Sequence, residues 1–340
     1  MNSLNIVVTT PVLDKSYPHA DNENIRRISN ISPVIKVSDA SALMTAERRG
    51  DNSGKKSLDN MLAEADVIFG FGVMLPKDLL SRAPKLKWLQ LMSAGADRLR
   101  DTEIWQSKVI ITGVSGMHAV PIGEFVLGFM LMLAKGIHLC FQMKQNRQWQ
   151  RYTPHLLRNK TVGIVGLGHI GSEVARLSKS FGMKVMATRR SVKKAGKTKN
   201  VDLVLPQAQM KEILGKSDYI VLCVPLTPET RHIIGEAELR SMKESAYIIN
   251  IGRGDLIDEE VLIRALDERR IAGAALDVIA IEPLPKDSRL WDMDNVILSP
   301  HVSGNMENYM DQATELFCDN VHRYLGGKKL HNVIDRKKGY

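Results

Sequence analysis

The chain has 340 residues, which is enough for two domains with sizeable cores, and 44% of them are hydrophobic, as in ordinary globular proteins. Its 47 Lys and Arg residues outnumber 38 Asp and Glu residues, and the formal net charge of +9 favours anionic ligands, although surplus solvated surface charge is the simpler explanation. The basic residues are dispersed and not interleaved with aromatic residues, which argues against nucleic acid as a partner.

The cysteine pattern and the N-terminal composition predict a cytoplasmic protein. The cysteines are widely spaced in apolar contexts and form no CxxC pair, which predicts buried thiols of a reducing compartment and no metal site. The N-terminus has no basic stretch followed by a long apolar run, as secretory signals have. The most apolar segment, 125–140, contains Lys135 and is too short and too charged to span a membrane. The cysteines are Cys140, Cys223 and Cys318.

The first third of the chain is predicted to alternate strands with helices. Short β-rich runs lie at 5–9, 34–37, 67–71, 86–91 and 109–112. Such alternation is typical of a parallel sheet with helices on both faces. No glycine-rich phosphate turn follows the first run, and the polar segment 45–60 is predicted to be a surface loop.

A long helix is predicted over 123–146. Its apolar residues nearly surround it, so it has to be buried, either in the core of one chain or at an interface between subunits.

A second series of strands begins at Thr161 and ends before a helix that follows Asn305. Polar residues of functional types come just after several of these strands, and in an open parallel sheet the carboxyl ends of the strands are where ligands bind. Further strands are predicted at 185–187, 202–205, 219–224, 247–251, 272–278 and 296–298.

The sequence KTVGIVGLGHIG at 160–171 is the most specific motif. A short apolar run leads into Gly166, Gly168 and Gly171, spaced G-x-G-x-x-G, and a helical pattern follows. Strand, glycine turn and helix in that order allow a dinucleotide pyrophosphate to contact backbone N–H groups at a helix N-terminus. The alternative is a glycine turn made only for close strand–helix packing.

The next strand indicates which dinucleotide is bound. An NAD site usually has an acid at the end of this strand, where it accepts hydrogen bonds from the ribose hydroxyls. Here the strand ends in Thr188, Arg189 and Arg190, and guanidinium groups pair with a 2′-phosphate that an acid would repel. This pattern favours NADP(H), with the three residues around the 2′-phosphate. NAD(H) with two solvated arginines is the alternative.

Three residues at strand ends are candidates for catalysis by their type. Arg253 lies in a glycine-flanked turn, where it can hold a carboxylate and polarise a carbonyl group. Glu282 precedes a proline, and His301 follows one; a histidine near a carboxylate has a fixed tautomer and can exchange a proton near neutral pH. Taken singly, each also fits an ordinary surface or strand-end residue.

With these residues the chain resembles the D-isomer-specific 2-hydroxyacid dehydrogenase family over nearly its whole length. The motifs that carry the resemblance are VGIVGLGHIGSEVA (162–175), VPLTPETRHIIG (224–235), INIGRGDLIDEEVL (249–262), ALDVIAIEPLP (275–285) and LSPHVSG (298–304).

The resemblance implies an α/β fold of two Rossmann-like parallel-sheet domains, one flavodoxin-like and one dinucleotide-binding, with a cleft between them. It implies a discontinuous substrate domain at 1–117 and 302–340 and a dinucleotide-binding domain at 118–301. The segment 123–146 is similar to the family's dimer element, so the resemblance also implies a homodimer through the cofactor domain.

The resemblance further assigns residues to roles. Arg253 would hold the substrate carboxylate and carbonyl, His301 would be the acid/base, and Glu282 its partner. The backbone of Ser93, Ala94 and Gly95 is similar to the family's substrate loop. The matched cofactor positions are Gly166, Gly168, His169, Ile170, Gly171, Pro225, Thr230, Ile251, Asp277 and Gly304.

The activity implied is NADPH-preferring reduction of a small 2-keto acid to its (R)-2-hydroxy acid. The alternative is a dinucleotide-sensing, corepressor-like binding protein without physiological turnover, since such relatives can retain the same Arg, Glu and His.

Overall fold

The structure is a computed structural model that describes residues 3–12 and 18–339. The chain divides into two compact units. Unit 1 comprises the residues up to 117 together with those from 306 onward, and unit 2 comprises 118–305. Residues 302–305, which the predicted boundary assigned to the substrate domain, therefore lie in unit 2. The reason is local: the amides of Val302 and Ser303 donate to the carboxylate of Asp277 in the same unit.

The strands are short, as expected of an α/β protein. They are β1 (Leu4–Thr9), β2 (Ile35–Asp39), β3 (Val67–Gly70), β4 (Trp88–Leu91), β5 (Ile110–Thr112), β6 (Thr161–Val165), β7 (Lys184–Thr188), β8 (Gly196–Thr198), β9 (Val201–Leu205), β10 (Tyr219–Leu222), β11 (Tyr247–Asn250), β12 (Gly273–Leu276) and β13 (Val296–Leu298).

The α-helices alternate with these strands. They are α1 (Asn22–Ser29), α2 (Ser41–Arg48), α3 (Lys55–Ala63), α4 (Leu79–Arg82), α5 (Glu103–Gln106), α6 (Ala119–Lys135), α7 (Ile137–Gln145), α8 (His169–Ser180), α9 (Met210–Lys216), α10 (Glu236–Ser241), α11 (Glu259–Asp267) and α12 (Tyr309–Leu325).

Unit 1 is built on a five-stranded parallel sheet in the order β2-β1-β3-β4-β5, which is the flavodoxin-like order. Its central strands are rich in Val, Ile and Leu because helices cover both faces. On one face Phe317 of α12 stacks on Phe69 of β3, with ring centroids 4.3 Å apart. The helix predicted after Asn305 therefore returns to the first sheet and completes its core.

Unit 2 is built on an eight-stranded sheet in the order β13-β12-β11-β10-β6-β7-β9-β8. Its strands run parallel except β8, which pairs antiparallel with β9 at the edge. The chain order reverses between β6 and β10, and the crevice at such a reversal is where open α/β sheets bind ligands. The α/β fold class predicted from the sequence is confirmed in both units.

Three local predictions differ from the structure. The helix predicted over 123–146 begins at Ala119 and breaks at Gly136, which has a φ of 62° and separates α6 from α7 by a 63° bend. An all-round apolar pattern carries no signal for such a break. The polar segment 45–60 is a loop only between α2 and α3, since Leu58 is buried on α3. Strand β8 has no apolar residue, so its pairing was not predictable from hydrophobic pattern.

The predicted burial of all three cysteines is wrong for Cys140, which is exposed on α7. Among the described residues, no single helix is long and apolar enough to cross a bilayer, and α6 and α7 reach that apolar length only as a bent pair.

Candidate active site

The glycine turn after β6 has a separate physical reason for each glycine. Gly166 has a φ of 102°, and a Cβ there would approach the carbonyl oxygen of Cys223 to 2.9 Å. A Cβ at Gly171 would collide with the carbonyl oxygen of Gly166, so this glycine allows α8 to pack on β6. A Cβ at Gly168 would meet nothing within 4 Å. Gly168 is therefore not needed for packing, and its open backbone suits a ligand.

The N-terminus of α8 lies directly after this open position. Helix α8 begins at His169, and its N-cap Gly168 makes no side-chain capping bond. The first N–H groups of a helix lack partners within the helix and favour anions. Gly168 and His169 are exposed, Ile170 is half-buried and Gly171 is buried. The residues therefore fit the pyrophosphate of a dinucleotide.

The end of β7 adjoins the glycine turn, because the Leu167 amide donates to the Thr188 carbonyl over 3.0 Å. Arg189 and Arg190 are exposed, whereas Thr188 is fully buried, and its hydroxyl has no hydrogen-bond partner within 3–12 and 18–339. At the end of β7 the two arginine side chains are therefore accessible to a ligand, whereas the threonine hydroxyl is not. No acidic residue lies between 189 and 201.

The loop after β10 is shaped by Thr230. Its hydroxyl donates to the Pro225 carbonyl and accepts from the Thr227 amide, both over 2.7 Å. The side chain of Thr230 thus holds this loop in a tight turn beside the glycine turn. The neighbouring Cys223 thiol remains protonated near neutral pH, because burial raises its pKa to about 12.

The turn that carries Arg253 is held by Asn250, at the end of β11. The Asn250 side chain is 1% exposed; it donates to the Arg253 carbonyl over 2.8 Å and accepts from the Gly252 amide over 3.1 Å. The Arg253 Nη1 donates to the Gly252 carbonyl over 2.8 Å. Ile251, between them, is 6% exposed. Asn250 was not identified from the sequence, although its position as the last residue of a buried strand is a usable signal.

The Arg253 turn packs directly on the loop that carries Glu282. A Cβ at Gly254 would collide with the backbone of Ile279, so the two loops touch through this glycine. The amide of Ile279 lies 3.4 Å from Glu282 Oε1, and the amide of Ala280 donates to Glu259 Oε2 over 3.0 Å. These contacts bring the Arg253 turn and the Glu282 loop together at the carboxyl ends of β11 and β12.

His301, after β13, contacts Glu282. The imidazole Nδ1 and the carboxylate Oε2 are 2.8 Å apart, and both side chains are partly exposed. Because Nδ1 is used by Glu282, Nε2 is the ring nitrogen that can exchange a proton with another molecule. The pair lies at the same edge of the sheet as the glycine turn, since all of these loops follow the carboxyl ends of parallel strands.

The backbone of His301 has a φ of 55°, a left-handed conformation that costs a non-glycine residue roughly 1–2 kcal/mol. Asp277 stabilises it. The His301 amide donates to the Asp277 carbonyl over 2.9 Å. The buried Asp277 carboxylate accepts from Ser299 Oγ, the Val302 amide and the Ser303 amide over 2.6, 2.9 and 3.1 Å. Asp277 therefore fixes the segment on both sides of His301.

His118 is a second residue that was not identified from the sequence. It precedes α6, and a Cβ at Gly304 would lie 3.2 Å from His118 Cδ2. Burial, and then the positive charge of Arg253, lowers the pKa of His118 to about 4. The imidazole is therefore neutral at neutral pH. Its sequence neighbours carry no motif, which is why only the folded chain reveals it.

The predicted substrate loop lies in unit 1. Ser93, Ala94 and Gly95 follow β4, and all three are half-buried. The Ser93 hydroxyl donates to the Gly95 carbonyl over 2.8 Å, so the loop is closed on itself.

The chain matches a protein-family model described as the NAD-binding domain of D-isomer specific 2-hydroxyacid dehydrogenases, over residues 127–303. It is 34% identical to glyoxylate/hydroxypyruvate reductase B of Pectobacterium carotovorum over 288 residues, 82% of this chain and 88% of that protein. It is 33% identical to D-3-phosphoglycerate dehydrogenase of Methanocaldococcus jannaschii over 285 residues, 83% of this chain. The matched region spans only 54% of that second relative.

The fold is also similar to a crystal structure of a D-isomer specific 2-hydroxyacid dehydrogenase from Xanthobacter autotrophicus in complex with NADPH and MES. The TM-score is 0.82 at 27% sequence identity, and the alignment covers 99% of this chain and 100% of that one.

Proposed function

The chain belongs to the D-isomer specific 2-hydroxyacid dehydrogenase family, and on that premise we propose that it reduces a small 2-keto acid to the (R)-2-hydroxy acid. The observation that carries the proposal is the 2.8 Å contact between His301 and Glu282, beside the Arg253 turn and on the sheet edge that holds the glycine turn. The reductase names of its relatives support the direction of the reaction.

Each of the three side chains has a distinct task in this reaction. The Arg253 guanidinium binds the substrate carboxylate in a forked geometry and polarises the keto group. His301 donates the proton on Nε2 to the oxygen that becomes the hydroxyl, and Glu282 holds the ring through Nδ1. When bound, the reduced nicotinamide supplies the hydride that the keto carbon accepts. Asp277 keeps the His301 segment in place. Its Oδ2 accepts one hydrogen bond from the described residues, and in this proposal it would also accept one from the carboxamide of the nicotinamide.

We further propose that NADPH is the preferred coenzyme. Two exposed arginines stand where an NAD site usually has an acid, and the end of β7 adjoins the glycine turn. The NADPH complex of the Xanthobacter relative supports this assignment. The same proposal includes the cofactor contacts of the other matched residues, from Gly166 to Gly304. It also includes Ser93, Ala94 and Gly95 of unit 1 as the substrate loop.

A homodimer through unit 2 is also proposed. Helix α7 has no buried residue, although it carries Ile137, Leu139 and Phe141. Phe141, Trp149 and Leu156 are 61%, 100% and 65% exposed, an unusual concentration of apolar surface. Tyr152 donates to the Lys135 carbonyl over 2.7 Å, which fastens this segment to the end of α6.

The oligomeric state of the wild type and of Phe141→Asp, measured by sedimentation, tests the proposed dimer. A monomeric wild type would refute it.

The corepressor-like alternative is not favoured, because curated relatives that match most of the chain are named for reductase activities. One experiment tests the proposed function directly. The purified chain is given NADPH or NADH with glyoxylate, hydroxypyruvate, pyruvate and 3-phosphohydroxypyruvate, and loss of reduced nicotinamide is followed. We expect turnover of at least one small keto acid, faster with NADPH. Coenzyme binding without turnover of any keto acid would support the sensor instead.

A further inference from the structure

Asn250 lies between the turn that carries Arg253 and the segment that carries His301. It is the last residue of β11, and its main-chain carbonyl accepts the Asp277 amide over 3.0 Å. The Asp277 carbonyl in turn accepts the His301 amide over 2.9 Å. The backbone of Asn250 is therefore linked to the His301 segment, while its side chain is bonded to the Arg253 turn.

The Asn250 side chain bonds to that turn at two points. Its Oδ1 accepts from the Gly252 amide over 3.1 Å, and its Nδ2 donates to the Arg253 carbonyl over 2.8 Å. Between these two groups along the chain lies the Gly252 carbonyl, which accepts from the Arg253 Nη1 over 2.8 Å. Asn250 thus fixes the peptide groups on either side of a carbonyl that the guanidinium itself contacts.

The surroundings leave this turn little room to move. A Cβ at Gly252 would lie 2.7 Å from Leu256 Cδ1 and 3.1 Å from the Val224 carbonyl oxygen. Asn250 is 1% exposed, so water cannot readily replace its two hydrogen bonds. A neutral amide supplies both a donor and an acceptor without a negative charge that would compete with a substrate carboxylate for Arg253.

Resting on the proposed function, we propose that Asn250 is a positioning residue for substrate binding, which holds Arg253 where the substrate carboxylate docks. It acts through Arg253 and takes no part in proton transfer. In the proposed function Arg253 binds the keto acid and the glycine turn binds the coenzyme. Loss of the Asn250 side chain should therefore weaken keto acid binding and leave coenzyme binding unchanged.

A double-mutant cycle tests whether Asn250 acts through Arg253. Values of kcat/KM are measured with NADPH and the keto acid that the wild type reduces fastest, in the wild type, Asn250→Ala, Arg253→Lys and the double variant. We expect Asn250→Ala to lower kcat/KM by about ten- to thirtyfold, mainly through KM, because Arg253 is no longer held in place. Arg253→Lys keeps the charge but loses the forked donors. In that background Asn250→Ala is expected to cost less than about threefold, since the group that it positions is already gone.

Two further measurements separate positioning from a general loss of structure. The dissociation constant of NADPH is expected to stay within about twofold of the wild type in Asn250→Ala. The control is Asn320→Ala in unit 1, which removes another buried amide that both donates and accepts. It is expected to leave kcat/KM per folded molecule within about twofold. Should Asn250→Ala not fold, Asn250→Asp carries the same expectations, because it keeps the acceptor for Gly252 and loses the donor to Arg253.

The outcomes separate this inference from the proposed function. Equal costs of Asn250→Ala in the two backgrounds, or a matching loss of NADPH affinity, would show a purely structural residue and overturn the inference. An unchanged kcat/KM in Asn250→Ala would overturn it as well. Each of these results leaves the proposed function intact, because the wild type turns over. A wild type without turnover of any keto acid would overturn the proposed function and this inference with it.

Discussion

Each unit of the molecule contains a histidine bonded to a carboxylate, and the two pairs are nearly the same in distance and in the exposure of the histidine. His301 Nδ1 lies 2.8 Å from Glu282 in unit 2, and His331 Nε2 lies 2.9 Å from Asp319 in unit 1. The exposed fractions of the two histidine side chains are 43% and 45%.

Their surroundings differ. His301 follows a strand at the ligand edge of the sheet, its backbone is held by Asp277, and the Arg253 turn is packed on the Glu282 loop. Asp319 is on α12 and also pairs with Arg323 Nε over 3.1 Å, so its charge is shared within one helix. A histidine–carboxylate contact by itself therefore does not identify a catalytic pair, since this chain has one in each unit. Position at the sheet edge distinguishes the candidate acid/base.

We expect the two histidines to differ most in what their replacement does to kcat. His301→Asn removes the proposed proton donor, and we expect kcat to fall by about 10²- to 10⁴-fold while NADPH binding is nearly unchanged. His331→Asn removes a pair of the same geometry and is expected to leave kcat within about twofold. Steady-state kinetics and coenzyme titration of both variants check this. Comparable losses in the two would contradict the assignment of His301.

A second comparison concerns two buried polar clusters. Asp277 accepts three hydrogen bonds at the ligand edge of unit 2, and in unit 1 Asn320 donates to Gln90 over 3.1 Å and accepts from the His331 amide over 2.7 Å. We expect Asp277→Ala to lower kcat by roughly 10- to 100-fold, because the His301 segment loses its anchor.

The matched variant Asn320→Ala is expected to cost about 1–3 kcal/mol of unfolding free energy without changing kcat per folded molecule. Denaturant unfolding and kinetics on the same preparations separate the two outcomes. If Asp277→Ala changed stability alone, its role in placing His301 would be wrong.

The second strands of the two sheets offer a third comparison. Strand β2 ends in Asp39, whose carboxylate caps the Ser41 amide over 2.9 Å, and no glycine turn follows β1. Strand β7 ends beside a glycine turn and is followed by Arg189. We expect Arg189→Asp to shift the NADPH-to-NADH ratio of kcat/KM toward NADH by about tenfold or more, since the proposed charged partner of the 2′-phosphate is lost.

Lys211→Asp makes the same charge change on α9 and serves as the control for that shift. An unchanged ratio in Arg189→Asp would mean that the 2′-phosphate is bound elsewhere.

The smallest expected effect concerns His118 and acid. Its pKa is about 4 in the folded chain and about 6.5 in the unfolded chain, so the unfolded state binds the proton more readily between these values. The stability of the wild type should therefore fall as the pH is lowered from 6.5 to 4, by about 1–3 kcal/mol from this group. Thermal unfolding of wild type and His118→Asn across that window measures it. Parallel pH profiles of the two proteins would refute the burial of a neutral imidazole.

The features that depend on neighbours along the chain could be predicted from the sequence. The glycine turn at 166–171, the arginines at the end of β7 and the strand-end positions of Arg253, Glu282 and His301 are all local patterns, and they identified the family and the fold class. Features that depend on contacts between distant residues could be identified only in the folded chain. The Asp277 anchor and the neutral His118 each result from residues that are far apart in the chain and meet only in the folded unit. The break at Gly136 and the pairing of β8 with β9 are local features that the apolar pattern does not mark. The physical reason is that burial and hydrogen-bond partners are properties of the packed chain, whereas periodicity and turn chemistry are properties of a short segment.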